Sequence, residues 1–471
     1  MMDTATAARA IAAKLSGPNV LFSGVTTDSR ALKSGELFVA LKGERFDGHD
    51  FVAQAFDGGA VAAIVADERA SAFDGRAGAS LLAVADPLAA LGALAAYWRR
   101  RFTLPVIAIV GSNGKTTVKE MATAILRAHF GSSQVLATTG NLNNQIGLPI
   151  SVLGLRASHR VAALEIGMNH RGETATLAAI AQPTIALINN AQREHQEFMR
   201  SVAEVAAEHA SLLNVLPDHG VAVINADDRH AGLWRDVVDR RNAEGASVSV
   251  LDFGLSASAA ISARYRAEDW GSIIDVETPA GATTVELRAP GRHNVSNALA
   301  AIAAATAAGA GLDAVRNGLA AFRPVAGRLE AKTGVSGVSI IDDTYNANPD
   351  SARAAITVLA KARGARWLVL GDMGEVGDAG PSFHREIGEY ARTAGIERLF
   401  AVGVLTTHAV AAFGANARHY DDVDSLIAAL RNELGSEQGT STTLLIKGSR
   451  FMRMERVVTA LGTGTPVRDV H

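Results

Sequence analysis

Apolar positions along this chain follow two rhythms. Short runs rich in β-branched residues, above all Val106-Ile-Ala-Ile-Val110, read as buried strands. Longer stretches with helical spacing lie between them, at residues 87–101 with Pro87 near the first turn, 118–129 and 293–308. From Val106 onward the two alternate, and the apolar runs at 162–166, 184–188 and 221–224 suit a parallel sheet. Residues 251–290 carry denser strand signals and predict an antiparallel insertion. After Arg323-Pro324, candidate strands at 338–341, 367–370, 399–402 and 444–446 are separated by helical stretches, which predicts a second doubly wound sheet. Up to Asp86 the pattern is one of short strands and turns, clearest in Val25-Thr-Thr-Asp-Ser-Arg30 and Gly35-Glu-Leu-Phe-Val-Ala-Leu41. The prediction is an α/β protein of three domains: a small mixed α/β unit over 1–86, a central mostly parallel sheet over 87–323, and a Rossmann-like unit over 324–471.

A length of 471 residues agrees with three units, each able to bury a core. The 45 basic and 48 acidic residues are spread along the chain, net −3, with no basic stripe for nucleic acid. The absence of cysteine excludes disulfides, thiol nucleophiles and thiolate metal sites. No apolar run approaches the ~20 residues that cross a bilayer, and residues 1–16 lack the basic start and apolar core of a signal peptide. The expectation is a cytoplasmic, monomeric enzyme without membrane insertion.

Candidate chemistry starts where the first buried strand ends. Gly111-Ser-Asn-Gly-Lys-Thr-Thr117 places a glycine turn between strand and helix, the architecture of a phosphate cradle. Lys115 is then expected on the β/γ-phosphates and the Thr116 hydroxyl on Mg²⁺. The usual first glycine of such loops is replaced by Ile109, so the loop is a shortened form; the plain alternative is a glycine turn with a surface lysine. Glu165 ends an apolar strand, where a carboxylate needs a cation or a buried ion pair. His195 follows the polar loop Asn189-Asn-Ala-Gln-Arg-Glu194 and reads either as a ligand or as a surface residue. In His293-Asn-Val-Ser-Asn297, spacing alone favours Asn294 as a helix cap over an adenine contact. Asp342-Asp-Thr-Tyr-Asn-Ala-Asn-Pro349 follows a strand; Asn348 reads as an N-cap with Pro349 at the first helical position, and the rest of this loop as a ligand surface.

Together these segments resemble the Mur ligases of peptidoglycan synthesis over nearly the whole chain. The shortened phosphate loop, Gly291-Arg-His-Asn-Val-Ser-Asn-Ala298 and Gly327-Arg-Leu-Glu330 carry the likeness. Within that family, Thr138-Thr-Gly-Asn-Leu-Asn-Asn-Gln-Ile-Gly147, Asp342–Pro349 and Leu370-Gly-Asp-Met-Gly-Glu375 resemble the branch that adds D-alanyl-D-alanine to UDP-N-acetylmuramoyl-tripeptide. The resemblance implies an ATP- and Mg²⁺-dependent ligase working through an acyl phosphate. It implies catalytic roles for Lys115, His195 and Arg328, and ATP contacts from Gly111, Ser112, Asn113, Gly114, Lys115, Thr116, Thr117, Asn294, Arg328 and Asp343. Ser29 and Arg30 are implied at the UDP end; Thr139, Asn143, Asn144, Tyr345, Asn346 and Asn348 also fall to substrate binding. Metal ligands are implied at Thr116, Glu165 and His195. Many members hold a second Mg²⁺ with a carbamylated lysine, but no lysine lies between Lys119 and Lys332 here. Glu208 falls near the expected helical position, with Glu204 one turn earlier on the same face, and Glu208 is the expected substitute. The alternatives are a related ligase adding the third residue, a folylpolyglutamate synthase-like enzyme, or an ATPase that acts on a protein partner.

Overall fold

The computed structural model describes residues 1–73, 80–256, 258–435 and 442–463. Its organising element is the strand Val106–Val110, in which every side chain is buried. It lies inside a six-stranded, all-parallel sheet, between Ile185–Ile188 and Val161–Glu165. After Val106–Val110 the chain builds one side of the sheet with Val135–Ala137 and Val161–Glu165. It then crosses to the other side for Ile185–Ile188, Val221–Asn225 and Ser249–Phe253. The direction of winding therefore reverses next to Val106–Val110, and a ligand crevice opens at such a point beyond the strand ends. Glu165 pairs with Ile109 and Ile188 with Val110, so the loops leaving three strands emerge at one level.

The antiparallel insertion begins later than the sequence pattern predicts. Ser262–Glu268, Gly271–Thr278 and Gly281–Leu287 form the three-stranded antiparallel sheet. Ser249–Phe253 instead joins the parallel sheet as its edge. This edge strand is only partly covered, running from exposed Ser249 and Val250 to buried Phe253, and a half-covered strand gives the same sequence signal in either kind of sheet.

The first unit is a five-stranded sheet in which Lys14–Ser16 is antiparallel to Ser80–Val84 and the other pairs are parallel. The helix Pro87–Arg99 is capped by Asp86, whose side chain accepts from the amides of Leu88 and Ala89, with Pro87 in its first turn. Leu91 and Leu94 of this helix belong to one buried cluster with Leu37, Ile64 and Leu82 of the first sheet and Val106, Ala108 and Leu164 of the central one. First and central units thus share a core.

The last unit is a second six-stranded sheet in the order 330–333, 339–343, 442–447, 365–371, 398–402, 417–420. Only Glu330–Thr333 runs antiparallel. Its two buried clusters are drawn entirely from residues from Leu329 onward. The strand Ala417–Tyr420 has no counterpart in the sequence pattern because it is short, polar and at an edge.

Candidate functional site

The phosphate loop is shaped by glycine and asparagine. Gly111 and Gly114 have φ of 144° and 83°, and a Cβ on Gly114 would lie 2.4 Å from Asn297 Oδ1, so neither position accepts a side chain without distortion. Asn189 Nδ2 donates to Asn113 O (2.8 Å) and to Asn297 Oδ1 (2.9 Å). Asn190 Oδ1 accepts from the Asn113 amide at 2.9 Å, and the Ser112 hydroxyl accepts from the Gln192 amide at 2.8 Å. Helix Lys115–Phe130 begins after Gly114 with no side-chain cap, so its first amides are turned to the cleft, as an anion-binding helix end requires. Lys115 Nζ reaches back over the loop to the carbonyls of Gly111 and Ser112 and lies 3.4 Å from Glu194 Oε2.

Beside the loop, the Thr116 hydroxyl donates to Glu165 Oε2 at 2.8 Å and Asn143 Nδ2 to Glu165 Oε1 at 2.7 Å. Glu165 is 2% exposed. A hydroxyl and a buried carboxylate side by side are hard oxygen donors suited to Mg²⁺. Among the described residues no three His, Asp or Glu side chains form a ready metal cluster.

The C-terminal unit closes the other wall, and about 1350 Å³ lies between the two. Arg328 stacks over the Tyr345 ring, 4.1 Å from its centroid, and its Nε has no partner. Asp343 accepts from the Leu329 amide and, at 2.6 Å, from Lys447 Nζ. Lys447 is 2% exposed and also donates to Asn346 O, which fixes the Asp343–Asn346 turn. Asn348 is the N-cap of Pro349–Leu359, in a capping box with Ser351. Its Nδ2 crosses to Asn113 Oδ1 at 2.9 Å. His195, at φ 48°, places Nδ1 2.7 Å from Glu375 Oε2 of the opposite wall. Burial holds the His293 imidazole down at about 4, against the pull of nearby Asp343, so it is neutral at pH 7.

Most residues singled out on sequence meet in this cleft. Ser112 to Thr117, Asn143, Asn144, Glu165, His195, Asn294, Arg328, Asp343, Tyr345, Asn346 and Asn348 all line it. Several do not behave as read. Asn294 is not the helix cap that its spacing suggests. Helix Arg292–Ala307 has Gly291 at its N-cap, and Asn294 Nδ2 donates back to Pro290 O at 2.8 Å. Thr139 is exposed and outside the lining. Ser29 and Arg30 lie on the first unit, away from the cleft, and the Arg30 guanidinium is paired with Asp28. Glu208 does not reach the cleft. Its Oε2 accepts from the Gly172 amide and its Oε1 from the Thr174 amide, both at 2.9 Å, so it caps the helix Glu173–Ala181 from a neighbouring helix. It lies outside the cleft lining, and its carboxylate satisfies backbone donors that the helix end otherwise leaves open. Glu204 is likewise occupied, accepting from the Arg200 amide at the start of its own helix.

The structure adds residues that sequence reading passed over. Glu194 and Lys447 both follow buried apolar strands in doubly wound sheets, Lys447 as the last residue of its strand and Glu194 six residues beyond its own. That is the one signal that could have found them. Arg193, and Glu375 at the end of the Leu370–Glu375 segment already singled out, owe their roles to contacts across the two units, which no local pattern reveals.

Sequence models of the Mur ligase family match all three units: the Mur ligase family catalytic domain over 21–99, the Mur ligase middle domain over 109–305, and the Mur ligase glutamate ligase domain over 327–450. A UDP-N-acetylmuramoyl-tripeptide--D-alanyl-D-alanine ligase of Escherichia coli K12 is 40% identical over 448 residues, 95% of either chain. The chain belongs to the Mur ligase family. Among solved structures, MurF from Acinetobacter baumannii superposes with a TM-score of 0.88 at 33% identity, covering 97% of this chain and 98% of that one. MurF from Thermotoga maritima, solved with ADP, gives 0.78 at 26% identity over 93% and 96%.

Proposed function

We propose that this Mur ligase forms an amide bond at the expense of ATP, adding D-alanyl-D-alanine to UDP-N-acetylmuramoyl-tripeptide. One observation carries the reading. The phosphate loop with its Thr116–Glu165 pair and the Asp342–Asn348 loop with Arg328 face each other across a single cleft, in a chain alike from end to end to a ligase of that name.

In this reading the terminal carboxylate of the tripeptide attacks the γ-phosphate and ADP leaves. The amine of the dipeptide then attacks the acyl phosphate carbonyl, and phosphate departs from the tetrahedral adduct. Two anions must first meet, so charge neutralisation is the main catalytic task. Lys115 and Arg328 supply positive charge from opposite walls. Thr116, Glu165 and His195 would hold Mg²⁺, which would add further positive charge beside the phosphates. Asn294 and Asp343 take the adenosine end, and Asn143 and Asn144 the muramoyl-peptide. Ser29 and Arg30 take the UDP end, on the first unit. Tyr345, Asn346 and Asn348 stand beside the incoming dipeptide.

The test is ADP release with the substrates supplied singly and together. Release that requires both UDP-tripeptide and D-alanyl-D-alanine is the expected result. Equal hydrolysis without an acceptor would point instead to a nucleotide-driven switch. Separate assays with diaminopimelate- and lysine-containing tripeptides fix the third residue.

A further inference from the structure

Two carboxylates reach the phosphate end of the cleft from the central unit. Glu165 is held by Thr116 and Asn143. The other is Glu194, 6% exposed, with Oε2 3.4 Å from Lys115 Nζ and 3.8 Å from His195 Nε2, and Oε1 3.2 Å from His209 Nε2.

A buried carboxylate next to a triphosphate seat is a liability unless a cation lies between them. Lys115 cannot serve both anions: once its ammonium turns to the phosphates, Glu194 keeps only the histidines. His209 shows how the carboxylate is aimed. It sits on the helix Val202–Ala210, 1% exposed; its Nδ1 has no hydrogen-bond partner, and its Nε2 faces Glu194. The ring therefore steadies Oε1 and leaves Oε2 directed into the cleft. Glu208 differs in place: it lies outside the cleft lining and spends its carboxylate on a helix end.

We propose that Glu194, braced by His209, is the second carboxylate ligand of the divalent cations that accompany ATP. A genetically encoded carboxylate thereby replaces the carbamylated lysine used by many Mur ligases. The inference rests on the ATP-dependent reading above. A hard cation of the Mg²⁺ class takes one or two carboxylates together with phosphate oxygens, and Glu165 and Glu194 make such a pair. His209 is a positioning residue, because it touches the ligand and not the metal.

Mn²⁺ is the probe, counted by electron paramagnetic resonance on the full chain with a non-hydrolysable ATP analogue. The wild-type chain should hold two Mn²⁺, with the count unchanged by removing bicarbonate. Glu194→Gln should weaken one of them by on the order of 10-fold or more while the analogue still binds at saturating Mn²⁺. Glu194→Asp, which keeps the charge at shorter reach, should fall between and serves if the Gln variant folds poorly. His209→Leu should weaken the same Mn²⁺, and His209→Gln, which restores a donor, should recover part of the loss. Glu208→Gln should lower the melting midpoint and leave the Mn²⁺ count alone. The proposal is overturned if the wild type holds a single Mn²⁺, if both Glu194 variants bind two as tightly as wild type, or if Glu208→Gln is the variant that loses one. A wild-type chain that takes up no ATP analogue would remove the parent reading as well.

Discussion

Lys115 leaves the first turn of its helix and folds back over the glycine loop, donating to the carbonyls of Gly111 and Ser112. Its ammonium thus rests on the loop within the cleft, ready to turn to a bound phosphate. Replacing it with alanine removes a fixed positive charge from the transition state, a loss of on the order of 10²–10³-fold in turnover or more. The circular dichroism spectrum should be unchanged, because half-buried Lys115 fills no core position. Near-normal turnover of Lys115→Ala would sink the phosphate-loop assignment. His293 makes a second prediction. Its folded pKa of about 4 lies below the ordinary 6.5, so the unfolded chain takes up a proton that the folded chain refuses. Its contribution to stability is whole above pH 6.5, declines as pH falls towards 4, and changes no further below that. His293→Asn should flatten this part of the stability curve, measured as urea midpoints across the same range. Parallel curves for variant and wild type would show that another group is responsible.

At the scale of one element, the loop from Asn189 to His195 does three jobs in sequence. Asn189 and Asn190 hold the phosphate loop. Arg193 crosses to the C-terminal unit, where it pairs with Asp350 at 2.6 Å and Glu386 at 2.7 Å. Glu194 and His195 then face the cleft. Arg193 is only 23% exposed and bridges two carboxylates, so it contributes more than the ~1 kcal/mol of an ordinary surface pair. Arg193→Ala should loosen the contact between the units, seen as a larger radius of gyration, and should raise KM for nucleotide more than it lowers affinity for UDP-tripeptide. An unchanged scattering profile would rule this out. The loop also marks how far the sequence was legible. Its polarity and its place after a buried strand announced a ligand surface, and the strand–glycine–lysine–helix order announced the phosphate seat. Which of its charged residues faces the cleft could not be read, because that depends on partners 15 to more than 150 residues away, His209 for Glu194 and Asp350 for Arg193. Glu208 misled for the same reason: helical spacing places a residue on a face but does not say what that face meets.

At the scale of the molecule, the repeating strand-helix pattern was enough to foresee two wound sheets, since fully buried strands carry their own signal. The edge strands and the shared core under Pro87–Arg99 were not, being products of packing rather than of local pattern. Both walls of the cleft contribute polar groups that need an anionic ligand between them. ATP analogue together with UDP-tripeptide should therefore tighten the particle further in small-angle scattering. Identical profiles with and without both ligands would count against closure.

The helix Pro87–Arg99 joins the first two units through one apolar core. Among the described residues, no buried cluster spans the central and C-terminal units. Polar contacts join these two, among them Arg193 with its carboxylates, the His195–Glu375 contact, the Asn113–Asn348 bond, the Arg363–Asp269 pair and the Glu197 amide on Glu375 O. The joint is ionic where the other is oily, and the two respond to the medium in opposite ways. Dissolved salt shortens the reach of partly exposed charges and leaves apolar burial intact or strengthened. Raising sodium chloride from tens of millimolar towards molar should swing the C-terminal unit outward while the first two stay fused. Fluorophores placed on the first and last units should then separate, and a pair placed on the first and central units should not. Ionic strength would thereby act as a brake on turnover, set by a handful of side chains at one seam.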